Sequence, residues 1–131
     1  MADLSVVKLF AGLPPKELKQ IEADLTVVTQ PAGKDIMLSG SKGVGFMVIL
    51  AGEVKVSLAR ERTLTLGPGD HFGEMALLDQ KGRSGSVTAL TDVTLGSVVQ
   101  WKFKDFLAHH PEVAWRVMQS LSERLREVQV D

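Results

Sequence analysis

The sequence predicts an α+β fold, in which an antiparallel β region lies between helical segments at both ends of the chain. Apolar residues recur at helical spacing before Leu25 and again from about Lys104, whereas the apolar period between these points is two. Glycine-containing turns interrupt the β region every several residues, a pattern typical of a sandwich, a jelly roll or a barrel. No helical crossover separates the strands, so a parallel α/β sheet is disfavoured.

Two short helices are expected at the N-terminus. Asp3 can cap a first helix that runs through Leu9, and Gly12 ends it. A second helix opens at Pro15, because proline is tolerated in the first turn of a helix. Its apolar face consists of residues at helical spacing, namely Leu18, Ile21 and Leu25.

The β region contains seven segments with an apolar period of two. Turns rich in glycine or proline separate most of them, as at Pro31-Ala32-Gly33 and Gly67-Pro68-Gly69-Asp70. The candidate strands are Leu25–Gln30, Asp35–Leu38, Val44–Leu50, Glu53–Leu58, Arg62–Leu66, Ser86–Leu90 and Val93–Val99.

The last third of the chain is predicted to be helical. A short helix spans Lys104 to His109, and Pro111 opens a longer helix that reaches about Val128. An apolar seam with three-then-four spacing follows the longer helix: Ala114, Met118, Leu121, Leu125 and Val128. We interpret this seam as a docking face on the β region or as a homodimer interface. Packing within the chain is the more common role for so short a seam.

Composition narrows the classes of protein that fit this chain. Its 131 residues with 44% hydrophobic content are expected to form one globular domain. Lys plus Arg total 15 and Asp plus Glu total 16, so the near-zero net charge argues against nucleic-acid and anionic-membrane binding. The absence of cysteine excludes disulfides and thiolate metal sites. Without a signal pattern or a membrane-spanning apolar run, a cytoplasmic protein is the expectation.

Residues 71–87 form the candidate site, because two opposite charges lie there among glycines and small residues. Gly73 allows a tight turn, and the apolar residues after Glu74 can continue as a helix start. Free backbone N–H groups at a helix start, together with the Arg83 guanidinium, would suit a small phosphate. The Glu74 carboxylate can accept hydrogen bonds from sugar hydroxyls. These residues predict a pocket for a phosphorylated, sugar-like ligand.

Catalytic and metal-binding interpretations find little support in the sequence. His71 and the pair His109-His110 have no partner at recognisable metal-ligand spacing, so we interpret them as a loop residue and helix-end residues. No Ser-His-Asp arrangement or metal constellation is evident, so neither an enzyme nor a cofactor is expected. The structural alternative for Glu74 and Arg83 is an ion pair that stabilises a loop.

The candidate site and the glycines around it resemble the cyclic nucleotide-binding domain family. That family includes catabolite activator proteins, kinase regulatory subunits and nucleotide-gated channels. Its phosphate-binding cassette has the pattern Phe-Gly-Glu, apolar, Ala-Leu, apolar, a spacer, then Arg, small residues and Val. Here the cassette is Phe72-Gly73-Glu74-Met75-Ala76-Leu77-Leu78 followed by Arg83-Ser84-Gly85-Ser86-Val87. With the glycine framework, the resemblance extends from Leu9 to Arg126.

The resemblance implies an eight-stranded antiparallel jelly-roll-like β-barrel flanked by N-terminal and C-terminal helices. Its parts would be N-terminal helices over 1–24, a β-roll over 25–100 with the cassette at 72–87, and C-terminal helices over 102–128. A DNA-binding regulator of this kind carries a helix-turn-helix after the long helix, so this chain alone is not expected to bind nucleic acid.

The resemblance also implies a role for each ligand-binding residue. Arg83 would pair with the cyclic phosphate beside backbone N–H groups near Ala76 and Ser84. Glu74 would accept from the ribose 2′-hydroxyl, and Val56 would pack against the purine. The implied ligand-binding residues are Val56, Phe72, Gly73, Glu74, Met75, Ala76, Arg83 and Ser84. Gly82 and Gly85 replace a common proline and alanine, which loosens the loop.

In similar domains the long C-terminal helix is the lid and the output element. Arg124 falls where some of them place an arginine over the base, and Leu121 and Leu125 are alternative caps. The implied function is a cyclic nucleotide sensor, with cAMP favoured over cGMP, that signals to a partner or an attached module when the helix closes. The alternatives are a structural or protein-interaction domain that no longer binds nucleotide, and the sensor fragment of a transcription regulator or channel.

Overall fold

The computed structural model describes residues 4–37, 45–57, 61–74 and 86–128. Within them, two four-stranded antiparallel sheets face each other, with helices packed against one sheet, so the predicted α+β jelly-roll-like fold is confirmed. The strands are β1 Thr26–Gln30, β2 Asp35–Met37, β3 Gly45–Ala51, β4 Val54–Ser57, β5 Thr63–Leu66, β6 His71–Phe72, β7 Ser86–Ala89 and β8 Val93–Val99. The α-helices are α1 Pro15–Asp24, α2 Gln100–His109 and α3 Pro111–Val128.

The first sheet has the strand order β1-β8-β3-β6, and the second has the order β2-β7-β4-β5. Seven of these strands overlap the seven candidates from the apolar period. The eighth, β6, pairs with β3 through Met47 opposite Phe72 and Val48 opposite His71. Two residues are too few to display a period, so β6 could not be predicted from alternation. It places the following Gly73 and Glu74 at the edge of the first sheet.

The core has two parts that share strand β3, which is buried on both faces. Phe46 and Val48 point to the helices, whereas Met47 and Ile49 point to the second sheet, as the two-residue period of a strand requires. The helix-side core contains Leu4, Val7, Leu9, Phe10, Ile21, Phe46, Val48, Val98, Phe103, Phe106, Val113 and Val117. The inter-sheet core contains Met47, Ile49, Val54, Phe72, Val87, Ala89, Val93 and Leu95.

The prediction of one continuous first helix from Asp3 through Leu9 is wrong. Asp3 lies outside the described residues, and the segment after it forms two 3₁₀ turns, Leu4–Val6 and Lys8–Phe10. Val7 between them is extended, with φ −77° and ψ 123°. Adjacent β-branched valines disfavour a helix, and two short turns let Leu4, Val7, Leu9 and Phe10 all reach the core. The second predicted helix begins at Pro15, as expected.

The second 3₁₀ turn is held against the turn between β5 and β6 by a backbone hydrogen bond and an ion pair. The Lys8 amide donates to the Gly69 carbonyl, and Lys8 Nζ lies 2.7 Å from Asp70 Oδ1. Gly69 has φ +95°, and a β-carbon there would collide with the Val6 carbonyl oxygen. Glycine therefore permits this close approach of the two backbones. The N-terminal segment thus supports the chain immediately before His71.

Helix α2 begins at Gln100, four residues before the predicted start, and α3 begins at Pro111 as predicted. The docking face assigned to the apolar seam of α3 is wrong in part. The buried residues are Val113 and Val117, whereas Met118 and Leu125 are each 54% exposed. The side chain of Val128 is outside the described residues. The face of α3 that packs on the protein is displaced by one residue from the predicted seam, and the polar part of the same face contacts β6.

Candidate functional site

Glu74 is the centre of the candidate site. It follows β6 directly and is preceded by Gly73, whose φ of +98° is in the left-handed region that favours glycine. This turn takes the chain off the sheet edge and directs Glu74 inward, where its relative exposure is 0%. Removing an ionised carboxylate from water costs free energy, so nearby hydrogen-bond donors or positive charges must offset that cost.

Arg124 of α3 supplies one part of that compensation. Its Nη1 donates to Glu74 Oε1 at 2.7 Å, and its Nη2 lies 3.5 Å from the His71 carbonyl oxygen. The guanidinium stays partly in solvent, since the Arg124 side chain is 41% exposed. This contact joins the long C-terminal helix to the end of β6, fifty residues earlier in the chain.

His71 is a buried strand residue, so its interpretation as a loop residue is wrong. Its Nε2 lies 3.2 Å from Ser120 Oγ on α3, and its Nδ1 lies 3.3 Å from Glu74 Oε2. The imidazole packs at 5.7 Å from the Phe46 ring. Nδ1 and Oε2 face each other without the alignment of a hydrogen bond, and neither has another partner among the described residues.

The electrostatic balance at this site keeps Glu74 ionised. Burial is the largest influence and would raise the pKa of Glu74, because it penalises the charged form. The contact with His71 and the positive charges of His71 and Arg124 together outweigh burial, so the pKa lies below its ordinary value. Glu74 is therefore a hydrogen-bond acceptor at neutral pH.

A cleft of about 380 Å³ adjoins this network between α3 and the N-terminal segment. Lys8, Asp70, His71, Ser120 and Arg124 contribute to its wall. On the same side, Arg116 Nη1 donates to the carbonyl oxygens of Leu9 and Ala11 at 3.0 and 2.6 Å. Arg116 also makes an (i, i+4) ion pair with Glu112, at 3.3 Å. Helix α3 therefore holds both the N-terminal segment and the end of β6.

The predicted site residues have different places in this arrangement. Phe72 is buried in the inter-sheet core, and Val56 is partly buried against the same core from the second sheet. Leu121 packs partly against the helix-side core, whereas the Leu125 side chain is largely exposed. Four of the predicted residues lie outside the described residues: Met75, Ala76, Arg83 and Ser84.

His71 and Ser120 were missed as site residues. For His71, a signal was available in the sequence, because it stands three positions before Glu74 in the chain. Ser120 carried no such signal, since its position facing β6 depends on how α3 packs. The pairing expected between Glu74 and Arg83 falls outside the described residues, and the cation on Glu74 that the structure describes is Arg124.

Two further features concern the described parts of the chain. No group of three or more His, Cys, Asp or Glu side chains is arranged there to hold a metal ion. None of the helices described is both long enough and apolar enough to cross a membrane.

Comparison with known proteins places this geometry in a family. The family model described as the cyclic nucleotide-binding domain matches residues 27–110. The chain belongs to the cyclic nucleotide-binding domain family. The match begins in β1 and ends at His110, so it includes the cassette and Glu74.

Relatives of this cyclic nucleotide-binding domain occur in different proteins. A CRP-like cAMP-activated global transcriptional regulator of Mycobacterium tuberculosis is 30% identical over 123 residues, covering 90% of this chain and 55% of its own length. A cyclic nucleotide-gated potassium channel of Mesorhizobium japonicum is 36% identical over 121 residues, covering 92% of this chain and 34% of its own length. The chain thus spans about half the length of the regulator, and less of the channel.

Among solved structures, the catabolite activator protein of Thermus thermophilus superimposes with a TM-score of 0.85 at 34% sequence identity. The superposition covers 92% of this chain and 59% of the activator protein. This agreement supports the jelly-roll-like fold.

Proposed function

We propose that this cyclic nucleotide-binding domain is a sensor for cAMP, with cGMP as the competing ligand, and that it has no catalytic activity of its own. The observation that carries the proposal is the buried, ionised Glu74 carboxylate, whose Oε2 atom has no aligned hydrogen-bond donor among the described residues. A buried acceptor of this kind is costly unless a donor completes it. The 2′-hydroxyl of a ribose is such a donor.

The rest of the ligand would lie along the cassette. Arg83 would pair with the anionic cyclic phosphate, and backbone N–H groups near Ala76 and Ser84 would complete the phosphate contacts. Val56 would contact the purine. These assignments rest on the family to which the chain belongs and on the agreement between its cassette sequence and the family pattern.

Helix α3 would act as the lid. Because Arg124 already contacts Glu74, a ribose hydroxyl that reaches this carboxylate must share it with Arg124 or displace the guanidinium. Either event changes a contact between β6 and α3, and so biases the position of the helix. The output would pass to a partner or an attached effector module, as the regulator and channel relatives suggest by their names. A homodimer through the exposed side of α3 is one form of this output.

Calorimetric titration with cAMP, cGMP and 2′-deoxy-cAMP tests the proposal. The wild-type chain should bind cAMP, and loss of the 2′-hydroxyl should weaken binding about tenfold, since hydrogen bonds to charged groups contribute about 1.5–3 kcal/mol. Glu74→Gln should reduce the discrimination against the 2′-deoxy ligand. Arg83→Ala should weaken cAMP binding by about 2 kcal/mol or more, and Arg62→Ala, at an exposed arginine, is the matched control.

Absence of binding heat with either ribonucleotide at submillimolar concentration would favour a structural or protein-interaction domain. If Arg83→Ala bound as tightly as Arg62→Ala, the phosphate would lie elsewhere. If Glu74→Gln discriminated against the 2′-deoxy ligand as strongly as wild type, Glu74 would not be the ribose acceptor.

A further inference from the structure

Ser120 of α3 lies in the site but has no role in the proposed contacts with the nucleotide. Its Oγ lies 3.2 Å from His71 Nε2, and its side chain lines the cleft between α3 and the N-terminal segment. His71 Nδ1 in turn lies 3.3 Å from Glu74 Oε2. A chain of polar contacts therefore runs from the helix, through one imidazole, to the carboxylate that is proposed to hold the ribose.

Helix α3 acts on both oxygens of this carboxylate. Arg124 Nη1 donates to Oε1 at 2.7 Å, whereas Ser120 acts on the Oε2 side through His71. Ser120 and Arg124 are four residues apart, so they lie one turn from each other on the same face of the helix. The last torsion of a glutamate side chain has a broad distribution, so the contacts of the two oxygens decide the plane of the carboxylate.

The His71 ring needs a partner of its own to keep its orientation. The ring is 6% exposed and packs at 5.7 Å from the Phe46 ring, and the pairing of β6 with β3 fixes its backbone. The torsion that turns an imidazole is also broad. Apolar packing is non-directional and does not distinguish the two ring nitrogens, whereas a hydrogen bond at Nε2 does. Ser120 thereby fixes the direction in which Nδ1 points.

This orientation does not depend on the charge of the ring. The carboxylate beside Nδ1 selects the forms that carry a proton there, because a lone pair would face a negatively charged oxygen. These forms are the imidazolium and one neutral tautomer. A serine hydroxyl can accept from Nε2 in the first form and donate to it in the second, so the contact with Ser120 is retained in both.

The Oε2 atom of Glu74 can take a second donor. Oε2 and His71 Nδ1 are both buried, and neither has an aligned hydrogen-bond partner among the described residues. An ionised carboxylate oxygen has two lone pairs, so Oε2 can accept from Nδ1 and from a ribose hydroxyl at the same time. Hydrogen bonds weaken steeply when the donor is poorly aligned. The plane of the carboxylate therefore decides how much the 2′-hydroxyl contributes to binding.

We infer that Ser120 is a specificity-determining positioning residue, which acts through His71 to orient the Glu74 carboxylate for the 2′-hydroxyl of the nucleotide. This inference rests on the proposed function and deepens it. The helix that is proposed as the lid also sets how strongly the site distinguishes ribose from deoxyribose.

Calorimetric titration of the full chain with cAMP and with 2′-deoxy-cAMP at neutral pH tests the inference. The measured quantity is the ratio of the two affinities, because a general loosening of α3 would weaken the binding of both ligands alike. Ser120→Ala removes the hydroxyl, retains a strong helix former and should lower the ratio about threefold. Ser120→Thr keeps a hydroxyl and should recover the wild-type ratio. Ser122→Ala, at an exposed serine of the same helix, is the matched control.

A double-mutant cycle tests the route through His71. His71→Phe retains an aromatic ring beside Phe46 and should also lower the ratio. Ser120→Ala added to His71→Phe should not lower the ratio further, because the contact is already lost. A further decrease would show that Ser120 acts on Glu74 by another route, and it would overturn the inference.

The same titrations separate this inference from the proposed function. If wild type binds cAMP more tightly than 2′-deoxy-cAMP, but Ser120→Ala gives the same ratio as Ser122→Ala, the inference is overturned and the proposed function stands. Equal binding of the two ligands by wild type would remove the ribose contact of Glu74, and this inference with it. Absence of cAMP binding would overturn the proposed function and the inference together.

Discussion

Glu74 is a carboxylate without solvent contact, and its charge is compensated by one residue that is distant in the chain and one that is near in the chain. Arg124 comes from the C-terminal helix, whereas His71 lies three positions earlier on the same segment. Burial of Glu74 would raise its pKa, but these two partners lower it below the ordinary value of 4.5. At the scale of single residues, the site therefore favours the ionised form of Glu74.

The lowered pKa of Glu74 predicts how acid affects stability. A group whose pKa is lower in the folded state contributes stability that is present above its unfolded value, here 4.5, and that is lost as pH falls through the folded value. Glu74→Gln should lower the free energy of unfolding by about 1–3 kcal/mol at pH 7, and by less at pH 4.

Urea unfolding of both proteins at pH 7 and pH 4 measures this difference. Glu53→Gln alters an exposed carboxyl and should follow wild type at both pH values. A constant gap between Glu74→Gln and wild type would contradict the lowered pKa. Asp70, whose pKa is also lowered, contributes to the acid response of both proteins equally.

At the scale of elements, one face of α3 is apolar near the start of the helix and polar nearer its end. Val113 and Val117 anchor it in the helix-side core, and Ser120 and Arg124, one to two turns later, contact β6 and its end. The exposed Met118 and Leu125 lie outside this face. The helix is therefore held by apolar packing near its start and by polar contacts nearer its end, where a ligand could alter them.

This division of α3 predicts unequal effects of two alanine substitutions. Val117→Ala removes buried methyl groups from a closed core and should lower the free energy of unfolding by about 2 kcal/mol. Met118→Ala, at the next residue, should change it by less than about 0.5 kcal/mol. Urea midpoints measure both at neutral pH. Equal effects would mean that the helix packs through a different face.

At the scale of the whole molecule, strand β3 connects both parts of the core, and α3 connects the N-terminal segment to the end of β6. Arg116 holds the Leu9 and Ala11 carbonyls, Lys8 holds Asp70, and Arg124 holds Glu74. A movement of Glu74 can therefore affect α3 directly through Arg124. It can affect the N-terminal segment through the contacts of Arg116 and Lys8. Such a network transmits a signal only if it has two discrete arrangements.

The lid hypothesis makes its prediction at this scale. Saturating cAMP should shift the backbone amide resonances of residues 111–128, most strongly around Ser120 and Arg124. The amides of α1 serve as an internal reference, and Arg83→Ala at the same cAMP concentration should leave α3 unchanged. Superimposable amide spectra for residues 111–128 in free and cAMP-saturated protein would show that the helix does not respond to the ligand.

Much of the fold was predictable because its signals are local. A period of two marked seven strands, and Pro15 and Pro111 marked two helix starts. Strand β6 was missed because two residues carry no period. The N-terminal 3₁₀ turns were missed because their geometry follows from burying Leu4, Val7, Leu9 and Phe10 together, and from the contact of Lys8 with Gly69.

The sequence by itself determined the family and most of the strand pattern, and it indicated Glu74 as a candidate binding residue, because cassette spacing and glycine turns are properties of neighbouring residues. Only the tertiary structure decided what surrounds that carboxylate. Arg124 and Ser120 are fifty and forty-six residues from Glu74 along the chain, and they reach the site because Val113 and Val117 seat α3 against the first sheet. The partners of a buried charge depend on how elements pack, which no local pattern encodes.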